Sequence, residues 1–351
     1  MRSRLAAALT ATVVLLVTAA PALACGGLIG PNGAVNLLRT TTFAGYADGV
    51  EHYVTAFEFA GGGGAFGSLT PLPGIPTSVV KGGDWTLQRL ILETDPPAEE
   101  AFRIGLFAAA GAADAEVLQE VRIDALDITI LRGGGDEVAR WATEQGFRLP
   151  PDAPEVLDFY AQRSPIFMAA AFDADAAAER GQAVGDGTPV HLTIPTDAPW
   201  VPLRILGLGK QAGETIQADV YLLTDEKPRL LPAPILPNGF TLAHSAPATT
   251  SLLDDLRSDR DMDWVPADAW LTKLAIDAKA STLTFDLAIS PDGVTAPDPV
   301  DVGLGFGARP EPEPGLQPID VARVLAAIGM VGAGLAMVLG LTAHRPVRPA
   351  A

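Results

Sequence analysis

Residues 35–59, VNLLRTTTFAGYADGVEHYVTAFEF, read as two β-rich runs folded back on each other. Val35 to Phe43 and Glu51 to Phe59 are dense in β-branched and aromatic residues, and Asp48-Gly49 between them is a turn-forming pair. In the second run Tyr53, Thr55, Phe57 and Phe59 alternate with His52, Val54, Ala56 and Glu58, the period of a strand with two distinct faces. A hairpin here makes the chain strand-rich from its start. The segments beyond residue 59 decide whether helices alternate with strands or only accompany them.

Downstream, Phe102 to Phe107 and Val117 to Leu131 are strand candidates, the latter with Val121, Ile123 and Ala125 alternating with Arg122, Asp124 and Leu126. Asp136 to Gln145 predicts a helix stopped by Gly146, with Val138 and Trp141 on one face, and Pro154 to Gln162 predicts another. Ile166 to Phe172, Val190 to Ile194, Val201 to Leu208 and Thr215 to Leu223 read as strands. Helices at Thr250 to Arg257 and around Ala267 to Ile276, then a strand at Thr282 to Ile289, complete the pattern. Strands in groups with a few short helices predict an α+β fold rather than βαβ alternation.

The two ends set the address. Arg2 and Arg4, the apolar stretch Leu5 to Ala20, and Ala22-Leu23-Ala24 read as a signal peptide over residues 1–24. Val324 to Ala343 is an uncharged apolar run long enough to cross a bilayer, within an expected transmembrane segment of residues 320–343. Arg345 and Arg348 in the tail, residues 344–351, place that end in the cytoplasm and residues 25–320 outside it. Residues 291–319, rich in Pro, Gly and acids, read as a stalk reaching on the order of 80 Å at about 3.1 Å per residue. The expectation is a bacterial single-pass membrane protein whose domain, residues 25–290, lies outside the cell membrane.

Charge narrows the partners. The chain carries 24 Lys+Arg against 42 Asp+Glu, a net −18. Five of the bases, Arg2, Arg4, Arg323, Arg345 and Arg348, lie in the signal, anchor and tail, so the exported domain is more acidic still. Such a surface repels nucleic acid. Cys25 is the only cysteine, so no internal disulfide forms; at the first mature position it is a candidate for lipidation. Gly332, Ala336 and Gly340 recur four apart, the spacing that brings two membrane helices together, and are the candidate contact with a second copy or another membrane protein.

Several segments together resemble a bacterial envelope family catalogued as domain of unknown function 2330. They are Cys25-Gly26-Gly27, then Thr70-Pro71-Leu72-Pro73-Gly74-Ile75-Pro76, then Ala139-Arg140-Trp141 through Gly146-Phe147-Arg148-Leu149-Pro150. Leu157-Asp158-Phe159-Tyr160, Ile166-Phe167-Met168-Ala169 and Trp200-Val201-Pro202-Leu203-Arg204-Ile205 come next in order. The resemblance covers residues 25–230 and implies export and a shared fold; it brings no activity and no catalytic residue. Family members often have a second cysteine soon after Cys-Gly-Gly, where this chain has Leu28-Ile29-Gly30-Pro31, so the short disulfide that a second cysteine would allow is missing.

Motifs for chemistry are sparse. Gly62-Gly63-Gly64-Ala65-Phe66-Gly67 matches G-x-G-x-x-G, but Ser68-Leu69-Thr70-Pro71-Leu72-Pro73 cannot start the helix a dinucleotide site needs. No cofactor is implied. His52, His191, His244 and His344 form no helical metal pair, and there is no G-x-S-x-G elbow. Asp259-x-Asp261-x-Asp263 resembles the start of a calcium loop, making Asp259, Asp261 and Asp263 candidate ligands, yet Trp264 and Trp270 stand where that loop needs Gly and Glu. The sequence therefore favours a non-catalytic, surface-displayed binding or scaffolding domain. A subunit of a membrane assembly and a hydrolase with a dispersed active site are the alternatives.

Overall fold

The computed structural model describes residues 27–30, 33–34, 40–57, 66–95, 117–173, 179, 188–234 and 239–304. The signal segment, Cys25, the Phe102–Phe107 run, the anchor and its Gly332/Ala336/Gly340 face lie outside the described residues. No helix among the described residues is long and apolar enough to cross a membrane.

The opening hairpin forms with shifted bounds, and residues 35–39 and 58–59 of the expected runs lie outside the described residues. Strands β3 (Thr40–Ala47) and β4 (Val50–Phe57) pair antiparallel through Ala47↔Val50. Asp48 and Gly49 both take positive φ, 52° and 78°. That is the type I′ geometry whose twist matches a two-residue hairpin, and it explains why Asp-Gly occupies the turn.

This hairpin is the middle of a seven-stranded sheet ordered β14-β15-β12-β3-β4-β10-β6, with β6 (Ser78–Lys81), β10 (Thr188–Pro195), β12 (Thr215–Thr224), β14 (Phe240–Pro247) and β15 (Trp270–Lys279). All its pairs are antiparallel except β12 with β3. A six-stranded antiparallel sheet, β2-β1-β5-β9-β8-β7, holds β1 (Gly27–Gly30), β2 (Gly33–Ala34), β5 (Phe66–Pro71), β7 (Val117–Ile123), β8 (Leu126–Arg132) and β9 (Ile166–Phe172). A small third sheet joins β11 (Trp200–Val201), β16 (Leu287–Ser290) and β13 (Arg229–Leu231).

The large sheet is buried on both faces. Ala44, Tyr53, Leu192, Val220 and Ile276 belong to the main core, together with Leu69, Ile130 and Met168 of the six-stranded sheet. Helices α2 (Gly135–Glu144) and α3 (Ala153–Ala161) add Val138, Trp141, Leu157 and Tyr160 to it. The alternate residues Phe43, Val54, Tyr221 and Leu223 form a second core against α1 (Thr86–Thr94) and α4 (Thr250–Ser258). Arg89 of α1 clamps this helix pair by bonding Asp255 of α4 and Glu93, each at 2.8 Å.

The fold is strand-rich α+β, as expected, with corrections. Ala267 to Ile276 is not a helix: β15 takes it up from Trp270, pairing along its whole length with β12 and packing Leu271, Leu274 and Ile276 into the two cores. Tertiary pairing overrides a weak local helical pattern here. Val117 to Leu131 is two strands, broken where Asp124 takes φ 61°. Only Trp200–Val201 is strand at the start of the Val201–Leu208 run, and Arg204–Gly207 is a 3-10 turn. The strand expected at Thr282 to Ile289 shortens to β16. Helix α1 and strands β5, β6, β13 and β14 add to the elements expected from sequence. Of the expected stalk, Pro299–Val302 is a 3-10 turn with Val302 fully buried.

The turn at residues 203–207 has a physical cause. Asp286, completely buried, accepts bonds from the Leu203 amide (2.7 Å), the Arg204 amide (3.0 Å) and the Tyr160 hydroxyl (2.8 Å), and pairs with the Arg163 guanidinium. Arg163 also donates to the Asp301 carbonyl. One carboxylate thus ties α3, the 203–207 turn, β16 and the 299–302 turn together.

Candidate functional site

On the outer face of the large sheet, period-two alternation in β4, β10 and β6 sets His52, Val54, His191, Thr193, Ser78 and Val80 in one patch. The register places His191 opposite Val54 and Val80, and Thr193 opposite His52 and Ser78. The loop after α4 closes over them: Met262 and Val265 plug into the second core, and Trp264 lies flat on the His52 ring, centroids 3.8 Å apart and 3° from parallel. The approach depends on Gly45, where an added Cβ would lie 2.0 Å from the Trp264 ring. The result is a cleft of about 200 Å³ lined by both histidines, Ser78, Thr193, Asp261, Asp263 and Trp264 among others.

His52 Nδ1 and His191 Nε2 are 3.1 Å apart and share a hydrogen bond. His191 is 2% exposed, and its Nδ1 has no partner. The Trp264 indole nitrogen is likewise buried without a partner. Burial lowers the pKa of His52 to about 3, with repulsion from His191 adding to it. Burial also lowers that of His191 to about 4, against the opposing pull of Asp261 and Asp263. Both rings are therefore neutral above mildly acidic pH. The two aspartates are exposed on the rim, flanking the buried Met262.

The three sequence-derived aspartates divide between two tasks. Asp259 turns inward and accepts from the Asp84 amide (3.0 Å), the Trp85 amide (3.1 Å), the Thr86 hydroxyl (2.7 Å) and the Arg260 amide (2.9 Å). It caps α1, which has no side-chain cap of its own. Asp261 and Asp263 reach the cleft instead. No group of three His, Cys, Asp or Glu among the described residues is already gathered around a common point.

A second cleft, of about 470 Å³, lies between Tyr46, Asp197, Asp292, Asp298 and Asp301. Two of its acids are occupied. Asp292 accepts from Ser290, Val294 and twice from Thr295, which holds its pKa far below the usual range. Asp298 accepts from the Val300 amide. Phe66 and Gly67, the end of the glycine-rich motif, belong to strand β5 rather than to a helix, and residues 62–65 lie outside the described residues. Trp141 and Trp200 are core residues.

Sequence reasoning places His52 and His191 on strands but not together. Alternation exposes which face each occupies; the pairing of β4 with β10 across 139 residues is not written in either strand.

The family model for an uncharacterised protein conserved in bacteria, DUF2330, matches residues 22–237. No curated protein sequence matches the chain. Among solved structures, a mutated baculovirus P35 after caspase cleavage matches with a TM-score of 0.41 and 8% identity, over 73% of this chain and 98% of that one. Baculovirus P35 itself matches with a TM-score of 0.37 and 9% identity, over 72% and 96%. Similarity of that size carries no inference about function.

Proposed function

The chain belongs to the DUF2330 family of uncharacterised proteins conserved in bacteria; from the anchor read in its sequence and the lining of the cleft we propose that it is a membrane-held envelope domain that binds a small cationic ligand without transforming it. The apolar run of residues 324–343 supplies the anchor and leaves the acidic domain outside the membrane. The Gly332/Ala336/Gly340 face is available to a second copy or a neighbouring membrane helix.

The observation that carries the binding reading is the His52–His191 bond. Each imidazole is engaged by the other, and among the described residues no hydroxyl is bonded to either, so this pair is not set up to activate a serine. The cleft walls instead offer two rim carboxylates and no Lys or Arg side chain. That lining attracts positive charge and repels anions.

Thermal melting of the full chain with added spermidine, arginine, acetate or phosphate tests the reading. The two cations raise Tm through preferential binding to the folded state, the anions do not, and the effect disappears in Asp261→Asn/Asp263→Asn. Equal response to anions, or no loss in the double variant, contradicts it.

A further inference from the structure

We propose that the His52–His191 pair is a proton-operated latch: while both rings are neutral it holds the 259–265 loop closed over the sheet, and protonation of His191 releases the loop.

The closed pair has no place for an added proton on His191. Its Nε2 lies 3.1 Å from His52 Nδ1, a hydrogen bond only while one of the two nitrogens lacks a hydrogen. Its Nδ1 is buried with no partner, so an N–H there has nothing to donate to. A charge on this ring is therefore enclosed without an acceptor of its own, which is costly.

The surroundings do not relieve it. β3 meets His52 with Gly45, and β6 meets His191 with Val80. Glu51, next to His52 on β4, lies on the opposite face by strand alternation. Lys81 of β6 pairs with Asp124, Arg260 of the loop with Asp84, and Arg89 of α1 with Asp255 and Glu93. Asp261 and Asp263 attract a charged His191 from the rim, and the Trp264 face favours a charged His52. Burial outweighs the aspartates and holds the pKa of His191 down at about 4.

The loop is the cover that can yield. β4 and β10 are each paired on both edges, whereas residues 259–265 belong to no strand or helix. Closure also carries its own costs. Asp261 takes φ 57°, a left-handed conformation that disfavours side chains, and the Trp264 indole nitrogen is buried without a partner. Against these stand Met262 and Val265 in the second core. The ends are fixed, by Asp259 at α1 and by Arg257 donating to the Pro266 carbonyl at 2.9 Å, so opening is confined to the residues between.

Once wetted, His191 returns toward its ordinary value of 6.5. The latch is thus at full strength above pH 6.5 and weakens as pH falls toward 4, the opening constant rising up to about tenfold per pH unit for the proton taken up. Opening carries Asp261, Asp263 and Trp264 out of the cleft wall, so acid would release a cation held there; that consequence alone rests on the binding reading above.

The test is hydrogen exchange of the ligand-free full chain from pH 7.5 to 4.5, with protection corrected for the intrinsic rate at each pH, alongside ¹⁵N spectra of its histidine side chains. Protection of the Met262 and Val265 amides should fall by up to about tenfold per pH unit below 6.5, while β12 and β15 keep theirs. His191 should protonate along the same curve, and His191→Gln should flatten it. The wild-type readings stand whether or not the variant folds. Loop protection independent of pH, a protonated His191 under a still-protected loop, equal loss in β12 and β15, or an unchanged curve in His191→Gln overturns the latch. Acid release of the loop in a chain that binds neither spermidine nor arginine supports the latch and removes only the binding reading.

Discussion

Glu51 is a carboxyl group kept where a carboxylate is costly. It is completely buried, and burial raises its pKa from 4.5 to about 8, with the Trp200 backbone acting the other way. Between those two values the folded chain keeps a proton that the unfolded chain releases. Stability from this group is therefore whole below pH 4.5 and is lost as pH rises toward 8, with a limiting slope of about 1.4 kcal/mol per pH unit. Denaturant titrations at pH 5 and pH 8 check this: wild type weakens over the interval, and Glu51→Gln removes this part of the slope. An unchanged slope in the variant would place the titrating group elsewhere. Gly45 makes the opposite demand, for space. Gly45→Ala drives a methyl into Trp264, and overpacking of that kind costs about 1–3 kcal/mol. Trp264 is also displaced from His52, so cation binding weakens along with stability. Retained stability with wild-type binding would show that the ring can shift freely.

Elements here are secured by carboxylates borrowed from far along the chain. Helix α1 begins without its own cap and relies on Asp259, more than 170 residues away. Asp259→Ala should lower unfolding free energy by about 1–3 kcal/mol, with Asp259→Asn losing less because one acceptor oxygen survives. Equal losses in the two would deny the capping role. Asp286 does more, since its removal strands Arg163 in the interior, with a side chain only 4% exposed. Asp286→Ala should cost about 3–5 kcal/mol, measured by denaturant midpoint. These borrowed contacts also mark where sequence reading stops at this scale. The Asp48-Gly49 hairpin and helices α2, α3 and α4 carry local signals, and each is legible. Helix α1 is not, because its cap lies in another segment. Strand β15 reads as a helix in sequence because its strand character comes from two partners, β12 and β14, rather than from its own residues.

At the scale of the whole molecule, two kinds of information separate. The family and the strand-rich α+β class are legible in linear patterns. The cleft is not, since it needs β4, β6, β10 and the 259–265 loop brought to one face. The D-x-D-x-D run draws attention to the right loop but assigns all three aspartates to one ion, where the fold sends one inward and two to the cleft. The proposed topology predicts that protease added to intact spheroplasts removes the acidic domain and leaves a tag at the carboxy terminus protected; loss of the tag in intact spheroplasts would reverse the orientation. The central claim, that the cleft is where this domain binds, is tested most directly by histidine-selective NMR of the full chain during titration with spermidine or arginine. The predicted result is saturable movement of the His52 and His191 ring resonances for at least one of these cations, with His244 and His344 unchanged. Unmoved His52 and His191 signals at saturating concentrations of both would contradict it.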